Sequence, residues 1–310
     1  MSHSLASPEE IELKLALGTG APARLLALPL FAKQTPITLV MRNRYFDTPD
    51  RALESSRVAL RLREFNDTII QTVKTAGHGS GGLHRRGEWE WPRDEATLET
   101  TVLNTLSHAM AQTNPDLRCL GNAEVISRLI PVYATDFTRR AWVLTKNGSV
   151  IEVGLDEGYI DVEHARIPIF ELELELKQGQ ADALWQLAEE IAAQVPLRPA
   201  NASKAQRAVA LRERAKASVV MPRTNTSAST FDSAIALLDQ ATDGLVDTET
   251  AKAHALQALD TLMQQVPEGL RDNAKAIADH IRHASRLEGA DWIDAAFGQH
   301  CLRLLRHLHT

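Results

Sequence analysis

Three short segments of this chain place charged residues at every second position, and this alternation constrains the fold more than any other feature. The segments are EIELK, RGEWEW and FELELELK. In a β-strand, residues i, i+2 and i+4 point to one face, so each segment predicts a strand with one charged face and one mostly apolar face. Because basic strands lie between them, we predict a barrel with a charged interior and an outer surface covered by helices. Charge inside a protein is costly to bury, which indicates a highly charged ligand.

Composition and charge limit which ligands and partners this protein can bind and where it is expected to work. The 310 residues carry a formal net charge of -6, so no overall positive field attracts nucleic acid, and a polyanion requires a local basic cluster. Two distant cysteines form neither a disulfide framework nor a metal knuckle, which predicts a reducing, cytoplasmic location. The N-terminus lacks the features of a signal peptide, and no apolar run reaches about 18 residues, so we expect no membrane span.

The chain divides into a mixed region and a helical region. Period-two runs with turn residues between them extend to about Gln206, and Asn147-Gly148 and Glu157-Gly158 are predicted turns. PRTNTSAST is a polar stretch typical of a linker, and helical periodicity continues from Phe231 to the end. We therefore predict an α+β protein with a barrel domain over 1–214, a linker over 215–230 and a small α-helical domain over 231–310.

The first charged segment is suited to both metal and phosphate. Glu10 and Glu12 would place two carboxylates on one strand face, which suits a hard divalent cation, and Lys14 on the same face would meet a phosphate. A half-exposed strand explains the same alternation, because alternation is the usual strand pattern.

The second set of candidates is basic. Arg61 and Arg63 share a strand face, and Lys74 lies on the following strand. Guanidinium forks match phosphate oxygens, although a solvated hairpin face gives the same pattern. We interpret Tyr45 and Asp47 as residues that fix the turn beside Asp-Thr-Pro.

A third set is acidic. Three carboxylates of FELELELK lie on one face and repel one another, which is tolerated when metal ions or basic side chains lie between them or when the face is solvated. Glu152 and Asp156 share a face in the strand before it. Further candidate cations are Arg128, Arg139 and Arg140, and only one of the last two can point inward because they are adjacent.

In their order along the chain, these motifs resemble those of the CYTH superfamily, the triphosphate tunnel metalloenzymes. EIELK resembles the ExExK signature, and YFDTPDRALESSRVALRLR resembles the Tyr-x-Asp-Thr stretch followed by Arg-x-Arg. QTVKT, LHRRGEWE, TDFTRRAW, EVGLDEG, ELELEL and NASKAQRA resemble the later motifs of the family. The resemblance covers about the first 210 residues. Within the superfamily it favours the bacterial inorganic triphosphatases with a helical C-terminal extension, although the tail lacks the basic helices of a CHAD domain.

The resemblance implies an antiparallel tunnel of eight strands that hydrolyses inorganic triphosphate, or another linear triphosphate, to pyrophosphate and phosphate with Mg²⁺ or Mn²⁺. It leaves open which two members of the ELELEL row bind metal. The implied catalytic and substrate-binding cations are Lys14, Arg61, Arg63, Lys74, Arg86, Arg139 and Lys204. The implied metal ligands are Glu10, Glu12, Glu88, Glu90, Asp156, Glu171, Glu173 and Glu175.

Three other functions fit the same residues. A class IV adenylate cyclase or a thiamine or nucleoside triphosphatase would use the same tunnel. A non-catalytic polyphosphate-binding module would need the cations alone, so the full set of carboxylates favours an enzyme.

Overall fold

The computed structural model describes residues 9–110, 112–214 and 226–309. Within these ranges a single antiparallel sheet closes on itself, because its first strand pairs with strands on both sides. The strands are β1 (Glu9–Leu17), β2 (Ile37–Asp47), β3 (Val58–Phe65), β4 (Thr68–Thr75), β5 (His78–Ser80), β6 (Leu83–Arg93), β7 (Ile130–Lys146), β8 (Ser149–Val162), β9 (Ala165–Gln178) and β10 (Leu197–Pro199).

Eight of these strands form the barrel, in the order β1, β9, β8, β7, β2, β3, β4, β6 and back to β1. Closure sets two cross-strand neighbours for the first motif, since Lys14 lies opposite Glu173 on β9 and Glu10 lies opposite Arg86 on β6. The short strands β5 and β10 extend the sheet beside β6 and β1. The predicted α+β fold with an eight-stranded antiparallel barrel is confirmed.

The barrel is polar inside and apolar outside, which follows from the alternation along its strands. Leu13 and Leu15 on β1 and Leu172 and Leu174 on β9 are fully buried on the outer face, in one hydrophobic cluster with α6 (Asp182–Ala192). The opposite positions of the same strands carry the charged rows. Burial of the outer face against helices drives folding and leaves the interior free for charge.

Helices cover the barrel and extend beyond it. One 3₁₀ helix lies at Pro115–Gly121. The other α-helices of the described ranges are α1 (Ala21–Ala27), α2 (Pro29–Ala32), α3 (Ala52–Ser55), α4 (Thr100–Met110), α5 (Ala123–Ser127), α7 (Lys204–Glu213), α8 (Ser227–Thr242), α9 (Thr248–Gln265), α10 (Glu268–His283) and α11 (Ala295–His309). None of the described helices is both long enough and apolar enough to cross a membrane.

The C-terminal helices pack directly on the barrel. Phe231 and Ile235 of α8 and Phe297 of α11 belong to the same buried cluster as Leu13. Residues 215–225 of the predicted linker lie outside the described residues. α8 begins at Ser227, before the predicted end of the linker at residue 230, behind a capping box formed by Thr226 and Ser229.

One predicted turn is also wrong. Glu157-Gly158 lies inside β8, where the chain continues to Val162 before it turns. Gly158 serves close strand packing, since a Cβ atom there would lie 2.2 Å from the backbone oxygen of Asp136. Asn147-Gly148 does form the β7–β8 turn, and both residues have positive φ.

Candidate functional site

A cavity of about 790 Å³ lies inside the barrel and receives side chains from all eight of its strands and from α7. Among the predicted site residues, those that line it are Glu10, Glu12, Lys14, Arg61, Arg63, Lys74, Arg86, Glu88, Glu90, Arg139, Glu173, Glu175 and Lys204. Asp156 and Glu171 are buried next to it and contact Lys204. Strand alternation therefore brings the strand residues of this set to one interior, and α7 adds Lys204.

One group of these residues forms what we call the inner ion cluster, which consists of Lys14, Arg139, Lys204, Asp156, Glu171 and Glu173. Lys14 Nζ lies 2.5 Å from Glu173 and 3.2 Å from Glu171. Lys204 Nζ lies 2.7 Å from Asp156 and also contacts both glutamates. Arg139 donates two hydrogen bonds of 2.7 Å to the carboxylate of Asp156 and reaches Glu173.

The cations of the inner ion cluster keep its carboxylates charged. Burial opposes ionisation of Glu173, but Lys14 and Lys204 outweigh it and hold the pKa of Glu173 well below its usual range. The same two lysines lower the pKa of Glu171 against the effect of burial. Oxygens of Asp156, Glu171 and Glu173 lie within 4.8 Å of one another, a spacing that could hold a metal ion.

A second group lies on β1, β4 and β6. Arg86 donates to Glu10 at 2.5 Å and to Glu12 at 2.7 Å, and Lys74 donates to Glu88 at 2.8 Å. Burial, opposed by Lys74 and reinforced by the charge of Glu10, raises the pKa of Glu88 to about 7. This wall of the cavity therefore contains a carboxyl group that titrates near neutral pH.

Glu175 is separate from the other two members of its row. It lies opposite Glu12 on β1 and Glu152 on β8, and among the described residues it forms an ion pair with Lys177 alone, at 2.6 Å. Burial raises the pKa of Glu175, and the neighbouring charges of Glu10 and Glu152 act in the same direction. The ammonium of Lys177 opposes this shift, so burial is the main cause of the raised pKa of Glu175.

The two arginines of β3 differ in their partners. Arg61 lies 3.4 Å from Glu88 and 3.8 Å from Glu90. Arg63 donates from Nε to the side-chain oxygen of Asn43 at 2.9 Å, and no carboxylate of the described residues lies within 4.0 Å of its guanidinium. Burial, together with repulsion from Arg61 and Arg139, lowers the pKa of Arg63 to about 10. Glu88 attracts Arg63 only from beyond direct contact, so the Arg63 guanidinium has no carboxylate ion-pair partner among the described residues.

Two other candidate cations point away from the cavity. Arg128 pairs with Asp50, and both side chains are exposed. Arg140 pairs with Glu157 outside the barrel, while its neighbour Arg139 points inward. The expectation that only one of the adjacent arginines faces inward is met, with Arg139 as the inward residue.

Sequence reasoning did not identify Tyr45 and Lys177 as residues of the cavity. Tyr45 was interpreted as a turn residue, yet it lines the cavity and stacks on Tyr133 with ring centroids 4.5 Å apart. Asp47 does fix the turn, because it accepts hydrogen bonds from the backbone of Thr48 and of α3. Lys177 also lines the cavity, and the period-two row through Glu175 would have predicted it.

Comparison with known proteins gives one family and several relatives. The family model described as CYTH domain matches residues 8–209. An inorganic triphosphatase of Haemophilus influenzae is 33% identical over 205 residues, which cover 64% of this chain and 54% of that protein. The chain therefore aligns with about half the length of this curated relative.

Two solved structures match this chain at low sequence identity. One is a candidate adenylyl cyclase from Hippeastrum described as having a dominant triphosphatase activity, with 20% identity, a TM-score of 0.45 and coverage of 64% of this chain and 95% of that chain. Another is a candidate adenylate cyclase from Bacillus halodurans, with 20% identity, a TM-score of 0.39 and coverage of 64% and 97%.

Proposed function

This chain belongs to the CYTH domain family, and we propose that its barrel interior hydrolyses inorganic triphosphate to pyrophosphate and phosphate with the help of a divalent metal ion. The activity of the Haemophilus influenzae relative supports this proposal. The two free cysteines, Cys119 and Cys301, support a cytoplasmic location for it.

The observation that carries the proposal is the unpaired guanidinium of Arg63. A largely buried cation without a carboxylate partner is unfavourable unless an anion completes it. Arg61 and Arg139 repel Arg63 from either side, so the anion must be able to meet several cations at once. A linear triphosphate has the charge and the length for this role.

The cations of the cavity would bind and orient the substrate. Guanidinium forks bind phosphate oxygens in fixed geometry, and the lysine ammonium groups add point charges. Phosphoryl transfer needs little covalent assistance, so alignment of the chain and neutralisation of its charge carry most of the rate. We assign this role to Lys14, Arg61, Arg63, Lys74, Arg86, Arg139 and Lys204.

The carboxylates fit a hard divalent ion such as Mg²⁺ or Mn²⁺, which prefers oxygen ligands. The position of Glu175 opposite Glu12, with Glu10 on the same adjoining strand, supports a cation there. Glu173 would contribute from the inner ion cluster, and Asp156, Glu171, Glu88 and Glu90 lie nearby. When bound, such an ion would neutralise phosphoryl charge and make a water molecule more acidic.

The test is phosphate release by the full chain from triphosphate, ATP and thiamine triphosphate, each with Mg²⁺, with Mn²⁺ and with a chelator. We expect the highest kcat/KM with triphosphate and loss of activity on chelation that Mg²⁺ or Mn²⁺ restores. Turnover that persists in the chelator would contradict the metal assignment. Binding of triphosphate without any phosphate release would support a non-catalytic binding module instead.

A second candidate, hydrolysis or cyclisation of an organic triphosphate, is favoured by one side of the cavity. Leu39, Met41, Phe65 and Ile70 line it together with the charged residues. Such side chains could accommodate an organic group attached to the triphosphate. A higher kcat/KM for ATP or thiamine triphosphate in the same assay would select this function.

A further inference from the structure

The position of Lys204 in the cavity depends on the chain segment directly before it. Lys204 is the first residue of α7, and Ser203 caps this helix by accepting a hydrogen bond from the backbone of Gln206. The preceding residues, 199–202, cross from β10 to α7 on the outside of the barrel. Whatever holds this segment therefore sets how far the Lys204 ammonium reaches into the inner ion cluster.

The segment is held by Asp239 of α8. One carboxylate oxygen of Asp239 accepts hydrogen bonds from the backbone N–H groups of Asn201 at 2.8 Å and Ala202 at 2.9 Å. The other oxygen accepts from Arg198 at 2.6 Å. Asp239 is only 6% exposed, so this carboxylate is buried and fully engaged by the segment on which Lys204 depends.

A second carboxylate of α8, that of Asp232, holds the same region from another side. Asp232 accepts a hydrogen bond of 2.5 Å from the backbone of Gly81, in the connection between β5 and β6. Asn201 accepts from Gly82 at 2.7 Å and also contacts Asp232. The backbone of Lys14, in turn, bonds to Gly82 and Ala200. The helix thereby fixes the backbone beside two lysines of the inner ion cluster.

A third contact lies one turn beyond Lys204. Arg207 of α7 donates two hydrogen bonds, of 2.8 and 2.7 Å, to Asp243 at the C-terminal end of α8, and it also reaches Glu171. Asp232, Asp239 and Asp243 are separated by seven and four residues, which places them on one face of α8. This acidic face meets the segment, the β5–β6 connection and α7 together.

We propose that α8 is a positioning element of the catalytic cavity and that Asp239 is its principal positioning residue. Its carboxylate fixes residues 201 and 202, and through them the ammonium of Lys204. This inference rests on the proposed triphosphatase function for its kinetic consequences, but the position of Lys204 can be measured without any turnover. The C-terminal helices would then contribute to the active site without contacting the substrate.

The decisive variant is Asp239→Asn, which keeps the shape of the side chain while it removes the charge that holds Arg198. We expect kcat/KM for triphosphate to fall by about 10- to 100-fold, because small displacements of binding groups have effects of this order. The matched control is Asp247→Asn, at the cap of α9, whose side chain bonds to Thr250 in the same helical region. This control should change kcat/KM by less than about twofold.

The position of Lys204 is read by amine acetylation of the full chain followed by mass spectrometry. In the wild type Lys204 is buried in ion pairs and should react slowly, whereas exposed Lys275 gives the reference rate. Asp239→Asn should speed acetylation of Lys204 severalfold and leave that of Lys275 unchanged.

Unchanged acetylation of Lys204 in Asp239→Asn would overturn the inference, whatever happens to activity. An equal loss of kcat/KM in Asp239→Asn and Asp247→Asn would also overturn it, since both would then act through stability alone. If the wild-type protein releases no phosphate from triphosphate, the proposed function fails, and faster acetylation of Lys204 still supports the positioning role of Asp239.

Discussion

At the scale of single residues, the cavity contains both compensated and uncompensated charge. Lys14 and Lys204 have two or more carboxylate partners each, so their charges are compensated within the folded barrel. Arg63 donates to the amide oxygen of Asn43 and has no carboxylate ion pair among the described residues, and burial lowers its pKa, so the folded protein disfavours its charge. When a residue destabilises the fold and faces a cavity, a role in ligand binding explains its presence best.

This contrast gives the first prediction, for Arg63→Met. Because the pKa of Arg63 is lowered in the folded state, its charge is destabilising at pH values below about 10. This effect fades as the pH rises from there toward the ordinary pKa of an arginine side chain. At pH 7.5 the free energy of unfolding of the variant should therefore exceed that of the wild type by about 1 kcal/mol, after allowance for solvent screening. The variant should accordingly unfold at a higher temperature. It should also lose the rise in Tm that we expect triphosphate to cause in the wild type.

Arg140→Met is the control for this experiment, since Arg140 pairs with Glu157 outside the barrel. It should not gain stability and should keep the triphosphate-induced rise in Tm. A less stable Arg63→Met protein that still responds fully to triphosphate would show that Arg63 is an ordinary structural cation.

The second prediction concerns Glu12, which lies opposite Glu175 and accepts a hydrogen bond from Arg86. Glu12→Gln removes one oxygen charge at the proposed metal site, so the Mg²⁺ or Mn²⁺ concentration for half-maximal activity should rise by about tenfold or more. Circular dichroism should show an unaltered fold. Glu157→Gln, outside the barrel, should keep the metal dependence of the wild type. If the activity of Glu12→Gln has the same metal dependence as that of the wild type, EIELK is a strand with a polar face and has no role in metal binding.

At the scale of strands, much of the site was predictable, because a period of two assigns residues to faces without knowledge of the fold. It placed Glu10, Glu12 and Lys14 on one face correctly. It could not assign partners, since the pairing of Lys14 with Glu173 depends on how β1 and β9 close the barrel over 150 residues apart. Tyr45 was missed for a different reason, because the turn chemistry of the following residues dominated its interpretation.

The same strands contain a position where absence of a side chain matters. Gly154 takes the inward place between Glu152 and Asp156 on β8, and a Cβ atom there would lie 3.0 Å from Nε of Arg139. The Arg139 guanidinium occupies the space that a side chain would fill. This gap allows it to reach Asp156 and Glu173 together.

The third prediction follows from this gap. Gly154→Ala should push the Arg139 guanidinium by a few tenths of an ångström and lower kcat/KM for triphosphate by roughly tenfold, with the fold retained. Gly269→Ala on α10 is the control, because nothing lies within 4 Å of the added Cβ, and it should have wild-type kinetics. Equal kinetics in the two variants would show that Arg139 adjusts freely and that Gly154 has no positioning role.

At the scale of the whole molecule, we propose that the barrel and the C-terminal helices unfold as one unit. The hydrophobic cluster contains Leu13 and Leu172 of the barrel together with Phe231 and Phe297 of the helices. The sequence indicated separate domains because PRTNTSAST is polar, but a polar connection does not determine whether the flanking parts pack. That depends on contacts far apart in sequence, which periodicity cannot reveal.

Close backbone contact between the two parts provides the last prediction. Gly298 of α11 lies against β10, and a Cβ atom there would be 2.2 Å from the carbonyl oxygen of Leu197. Gly298→Ala must separate the helix from the strand, which should cost about 1–3 kcal/mol and lower Tm by roughly 2–4 °C for each kcal/mol. If the molecule is one cooperative unit, far-ultraviolet circular dichroism and tryptophan fluorescence should show a single transition that shifts as a whole.

Triphosphate gives this experiment a second readout, because its proposed binding site lies in the barrel, whereas Gly298 lies in the helical region. In a single unit, triphosphate should raise the temperature at which the helices unfold as well as that of the barrel, in Gly298→Ala and in the wild type alike. Two transitions, with only one responding to triphosphate and only the other to Gly298→Ala, would show independent domains. Since Lys204 depends on α8 for its position, independent unfolding of the helices would also leave the cavity without one of its cations in place.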